Sequence, residues 1–180
     1  TSETPVPFDY INSPKLFLDN DEAGLDFGLI ALSPIYRQLL QTNGVIPVVE
    51  ENWTHQHRIQ FDRYFLVGLP SLFLATEKSK ESITRRMSVT IIPATKIETP
   101  QDHQKLFPRI TGKIADDYPL DELDGMSGGP ILGFTDDKKN MYWVVAVQSS
   151  WLRSQRIIFG CPIPVIAAVV NQLLSDDAVD

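Results

Sequence analysis

The chain lacks the features that mark several large protein classes. A single cysteine, Cys161, stands among 180 residues. No intrachain disulfide can form, whereas small secreted enzymes are commonly stapled by several. A reducing, cytoplasmic setting is the expectation. No stretch approaches the ~20 consecutive apolar residues needed to cross a bilayer, and the N-terminus lacks the basic-then-apolar layout of a signal peptide. No membrane role is expected. Sixteen Lys and Arg face 23 Asp and Glu, giving a net charge of -7, and no dense basic run is present. A phosphate backbone is therefore a poor partner, and nucleic acid is not an expected substrate. Only three histidines occur, His55, His57 and His103. No Cys, His and acidic residues fall at zinc spacing, so neither a metal nor a cofactor is implied.

What is present is the composition of a globular chain, 43% hydrophobic and 22% charged, long enough to close one sizeable core or two small ones. Short apolar, β-branched runs dominate: Phe27 to Leu32, Tyr64 to Leu69, Val89 to Ile92 and Trp143 to Val147. Turn residues punctuate them, a spacing that suits barrels or sandwiches. Two helices interrupt the pattern. Pro34 opens one through Leu40, stopped by Asn43-Gly44, and Pro164 begins another through Leu174. In the second, Val165, Ile166, Val169, Val170, Leu173 and Leu174 recur at helical spacing, which predicts a docked C-terminal helix. Glu77 to Arg86 is polar and reads as a loop between strands, and Asp176-Asp177 as part of a solvated tail.

The chemistry concentrates in Asp124-Gly125-Met126-Ser127-Gly128-Gly129-Pro130. Glycines on both sides of a serine let the backbone turn tightly and bring N–H groups close to a reacting carbonyl. Gly125-Met126-Ser127-Gly128-Gly129 also satisfies the Gly-x-Ser-x-Gly elbow of α/β-hydrolases. That elbow leads from a strand into a helix, and its histidine follows the serine. Here Pro130 and the β-like run Ile131 to Phe134 follow Ser127, and no histidine does. An esterase-type hydrolase stays open only as a remote reading.

Gly-x-Ser-Gly-Gly-Pro resembles the active-site serine motif of trypsin-like (chymotrypsin-fold) serine peptidases, including their HtrA-like intracellular branch. The resemblance implies Ser127 as nucleophile and the amides of Gly125 and Ser127 as oxyanion hole. Leu25-Asp26-Phe27-Gly28-Leu29-Ile30-Ala31-Leu32 resembles the segment that carries the triad aspartate, here Asp26; alone, Asp26 also reads as a turn residue heading a strand. Phe65 to Pro70 resembles an early strand of the second barrel. Val144 to Trp151 resembles the strand after the serine, whose edge pairs with the substrate backbone, which makes Ser149, Ser150 and Trp151 candidate substrate contacts. Cys161-Pro162-Ile163-Pro164 and the helix after it resemble the family's C-terminal end. The likeness spans residues 24 to 174, and only the serine motif is highly specific. Asp121, six residues before Ser127, stands where trypsin places the acidic floor of its primary pocket, implying pairing with a basic side chain, although it also belongs to an acidic loop with Asp117, Glu122 and Asp124.

One departure stands out. The family's chain order is His, Asp, Ser, yet no histidine precedes Asp26. Either the His-bearing strands lie upstream of Thr1 in a longer chain, the favoured reading, or the protein is a catalytically inactive peptidase-like binding or scaffold module. His55 and His57 alternate and read as a half-exposed polar strand face, and His103 as a solvated loop residue. The expected architecture is all-β: a double six-stranded β-barrel with the first barrel incomplete and a C-terminal α-helix. Residues 1–33 would end the first barrel, 34–50 would connect, and 51–180 would form the second barrel with its helix. The expected partner is a polypeptide substrate, with further domains of a longer chain.

Overall fold

A computed structural model describes residues 9–48, 61–71, 75–78, 83–86, 88–119, 122–136 and 142–176. Its N-terminal part is a hairpin. Strands β1 (Lys15–Asn20) and β2 (Leu25–Ile30) pair antiparallel from Lys15↔Ile30 to Asn20↔Leu25, joined by a turn in which the Gly24 amide donates to the Asp21 carbonyl. Alternation gives the ribbon two faces. Leu16, Leu18, Leu25, Phe27 and Leu29 turn inward, while Lys15, Phe17, Asp19 and Asp26 are exposed.

Helix α1 (Pro34–Thr42) follows, with proline at its first turn and a stop at Asn43-Gly44. Gly44 takes a φ of +80°, and the Gly44 and Val45 amides return to the carbonyls of Gln41 and Leu40.

The body is a closed barrel of six antiparallel strands, in the order β10-β7-β6-β3-β8-β9. These are β3 (Arg63–Gly68), β6 (Thr90–Lys96), β7 (Ile110–Lys113), β8 (Pro130–Phe134), β9 (Tyr142–Leu152) and β10 (Ile157–Pro162). Between β3 and β6, strands β4 (Ala75–Lys78) and β5 (Ile83–Arg86) form a separate two-stranded sheet. Of the polar stretch Glu77 to Arg86, read as a loop, the described residues 77–78 and 83–86 therefore lie in paired strands. Its strands lack an apolar face, so hydrophobic periodicity could not reveal them. The barrel is filled by Tyr64, Leu66, Ile92, Ile114, Leu123, Met126, Ile131, Ala146 and Ile158. Closure gives each barrel strand a partner on both sides over part of its length, the usual solution for short antiparallel strands.

Helix α2 (Ile163–Asp176) covers the hairpin side. Ile166, Val169 and Val170 meet Leu25, Phe27 and Cys161 in a second cluster, and each buried aliphatic side chain there contributes about 1.5–3 kcal/mol. The stripe read from the sequence ends earlier than expected, because Leu173 is 39% exposed. Backbone bonds from Leu106 and Phe107 to the carbonyls of Glu22 and Ala23, with the Lys105–Asp21 ion pair, tie the hairpin turn to the segment before β7. The chain is thus mostly β, with a closed six-stranded barrel and a C-terminal helix, as the sequence led one to expect. N-terminal to α1, the described residues form a two-stranded hairpin.

Candidate active site

Ser127 lies on a turn held from below by a methionine. Met126 is fully buried in the barrel, next to Leu123, and its amide donates to the Leu123 carbonyl. The serine beside it is exposed. The turn is locked on both sides: the Ser71 amide donates to the Asp124 carbonyl, Gly128 donates to the Gln148 carbonyl, and Gln148 donates back to Gly129. Among the described residues, the Gly125 and Ser127 amides donate to no protein acceptor, and no side chain bonds the Ser127 hydroxyl.

Gly125 shows why the motif needs glycine. Its φ is +85°, and a Cβ there would meet Ser71 Oγ at 2.5 Å, the Leu69 carbonyl oxygen at 2.8 Å and the Ser71 amide at 2.9 Å. No side chain fits there, and glycine takes the left-handed backbone without strain. After Ser127 the chain runs into strand β8. A strand–Ser–helix elbow is absent at this position.

Ser149 and Ser150 follow Gln148 directly on β9. Ser150 pairs with Phe159 and Gln148 with Gly160, which leaves Ser149 as the extra residue of a β-bulge. The bulge cancels the usual alternation, so both hydroxyls reach one guanidinium. Arg109 Nη2 donates to Ser149 Oγ at 3.2 Å and Ser150 Oγ at 3.3 Å, and its guanidinium carbon lies 5.0 Å from the Phe159 ring centre. Ser149 in turn donates to the Phe159 carbonyl. Beyond Gln148, β9 pairs with β10 alone among the described residues, so one edge of Ser149–Leu152 is open. Trp151 packs partly against the barrel core.

Asp26 sits on the outer face of β2, directly opposite Asp19. Strand β2 lies against β9 and β10. Desolvation first, then the like charge of Asp19, raises the Asp26 pKa above 3.8, and nearby Arg109 opposes the rise. Arg109 thus links two predicted elements: it bonds Ser149 and Ser150 and is an electrostatic neighbour of Asp26. Cys161 belongs to the same neighbourhood, its thiol pushed up to about 11, chiefly by burial.

The structure therefore brings the Gly125–Ser127 turn beside Ser149 and Ser150 through Gln148, whereas among the described residues Asp26 has no hydrogen bond or ion pair to that group and is only an electrostatic neighbour of Arg109. Asp121, His55 and His57 lie outside the described residues. His103, read as a solvated loop residue, ends a short 3-10 turn, and its ring packs 5.2 Å from that of Phe159. With 30% of its side chain still exposed, it is covered by the aromatic ring only in part. Two residues escaped sequence reasoning. Met126 occupies the variable position of the motif, where its apolar character was the available clue to an anchor. Arg109 sits among unremarkable loop residues, and nothing in the sequence marks it.

No protein-family model, curated protein or solved structure matches this chain.

Proposed function

We propose that the chain carries the catalytic-serine part of a trypsin-like serine endopeptidase. In this reading the six-stranded barrel is the second of two, and the hairpin β1–β2 ends the first. One observation carries the proposal: an exposed Ser127 on a tight turn where, among the described residues, the amides of Gly125 and Ser127 have no protein acceptor. Such a pair is suited to an oxyanion, and removing one donor from a hole of this kind costs about 10²–10³-fold in rate.

The Ser127 hydroxyl would attack the scissile carbonyl and pass its proton to an imidazole, expected from a histidine N-terminal to Asp26 in the full-length protein. The amides of Gly125 and Ser127 would hold the oxyanion. Collapse expels the amine, which takes the proton from the imidazolium, and water then hydrolyses the acyl-enzyme by the same route. Asp26 would orient the imidazole and stabilise its charged form. The open edge of Ser149–Leu152 offers backbone groups with which an extended substrate can pair, beside Trp151.

The test is hydrolysis of an unfolded polypeptide such as casein by the full-length protein. Cleavage abolished by Ser127→Ala, with the fold intact, supports the assignment. Undiminished cleavage by that variant would refute it, and no cleavage by either protein would favour a peptidase-like binding module.

A further inference from the structure

A groove of about 760 Å³ opens along the segment that leads from β6 to β7, and Arg109 forms part of its lining. Lys96 and Lys105 line it too, with Glu98 the one carboxylate among the lining residues. Three cations around one groove stand out in a chain of net charge -7. Lys105 is paired with Asp21. Arg109 differs: it spends Nη2 on two neutral hydroxyls, its Nε is buried without a hydrogen-bond partner, and no carboxylate lies within ion-pair distance among the described residues. Ile97, Leu106, Phe107 and Pro108 add apolar surface beside the polar Thr99 and Gln104, with Leu106 79% exposed. Through Arg109 the groove touches Ser149 and Ser150, where the open edge of β9 begins.

We infer that this groove binds an acidic side chain, flanked by apolar residues, of a peptide seated on the β9 edge, with Arg109 as the residue that recognises the carboxylate. The seat on β9 rests on the endopeptidase reading; the charge preference rests on the groove itself. A guanidinium that feels Asp21 and Asp26 only at a distance, with no carboxylate in ion-pair contact among the described residues, favours a carboxylate over its neutral amide isostere, because charge-assisted bonds are about twice as strong as neutral ones. Apolar contact with Leu106, Phe107 and Pro108 favours a peptide over a bare anion.

The test uses the Ser127→Ala chain and three fluorescein-labelled octapeptides of identical apolar residues carrying two Glu, two Gln or two Lys, followed by fluorescence anisotropy. The Glu peptide should bind about tenfold more tightly than the Gln peptide and the Lys peptide least, a difference that salt diminishes. Arg109→Gln should bring the Glu peptide to the level of the Gln peptide, with circular dichroism unchanged. Equal binding of the Glu and Gln peptides, or a preference that survives in folded Arg109→Gln, would overturn the inference. Should that variant fail to fold, amide shifts in the parent chain decide: the Glu peptide must perturb Lys105, Arg109, Ser149 and Ser150, and shifts confined elsewhere contradict it. Parallel fluorophosphonate labelling of Ser127 in the full-length protein separates the two readings. Charge-selective binding without labelling removes the peptidase and keeps the groove, and labelling without charge selectivity does the reverse.

Discussion

Replacing Gly125 by alanine should be far more costly than the same change three residues later. Both Gly125 and Gly128 have a φ of +85°, so each alanine incurs the left-handed penalty of about 1–2 kcal/mol. Their surroundings differ. A Cβ at Gly128 has no neighbour within 4 Å, whereas at Gly125 it would meet the backbone atoms Leu69 O and Ser71 N at 2.8 and 2.9 Å, besides Ser71 Oγ. Ser71 Oγ can rotate away; the two backbone atoms cannot move without disturbing the Ser71–Asp124 bond that locks the turn. Overpacking of this kind adds about 1–3 kcal/mol. Gly125→Ala should therefore lose about 2–5 kcal/mol and Gly128→Ala about 1–2, against a total stability of about 5–15 kcal/mol. For a chain of this size the difference corresponds to several degrees in Tm, at about 2–4 °C per kcal/mol. Urea unfolding of the two variants beside the parent, with Tm from calorimetry, measures it. Equal midpoints for the two variants would show that the crowding around Gly125, and the turn built on it, is wrong.

Asp26→Asn should stabilise the fold at pH 7. The native Asp26 pKa is raised, so the native state binds the proton more tightly than the unfolded chain, and ionisation costs stability as pH climbs past 3.8. The gain should shrink to nothing well below pH 3.8, and a variant less stable than the parent at pH 7 would contradict the electrostatics drawn around Asp26 and Asp19. Cys161 should resist iodoacetamide in the native state near pH 8, since its thiol is buried and pushed up to about 11, and should alkylate on unfolding; rapid native labelling, read by mass spectrometry, would show the site to be open. Met126→Ala should cost about 2–5 kcal/mol, the range for emptying a buried Met position, and should also reduce reactivity at Ser127 by loosening the turn; a stability change near zero in urea would remove Met126 as its anchor.

The barrel was legible because its strands carry β-branched, apolar residues at short spacing, as in Tyr64 to Leu69 and Trp143 to Val147, and the helix limits because proline and Asn-Gly mark them physically. The turn around Ser127 was legible because glycines on both sides of a serine describe a backbone shape, and the values of φ at Gly125 and Gly128 are that shape. The β4–β5 hairpin was hidden because its pairing is carried by backbone bonds that leave no apolar imprint on the sequence. Leu173 looked buried from periodicity alone, yet the cluster beneath α2 does not reach it. Arg109 was invisible for a different reason: its meaning depends on a bulge in β9, forty residues away, which aligns two hydroxyls that alternation would have separated.

The central claim is that Ser127 is an activated nucleophile, and active-site labelling tests it most directly. The full-length protein, treated with a fluorophosphonate and digested for peptide mapping, should carry the phosphonyl group on Ser127 alone among its serines. Ser127→Ala should abolish the adduct, while Ser149→Ala and Ser150→Ala should still be modified at Ser127. Modification at another serine, or a folded protein that takes up no reagent at Ser127, would contradict the account.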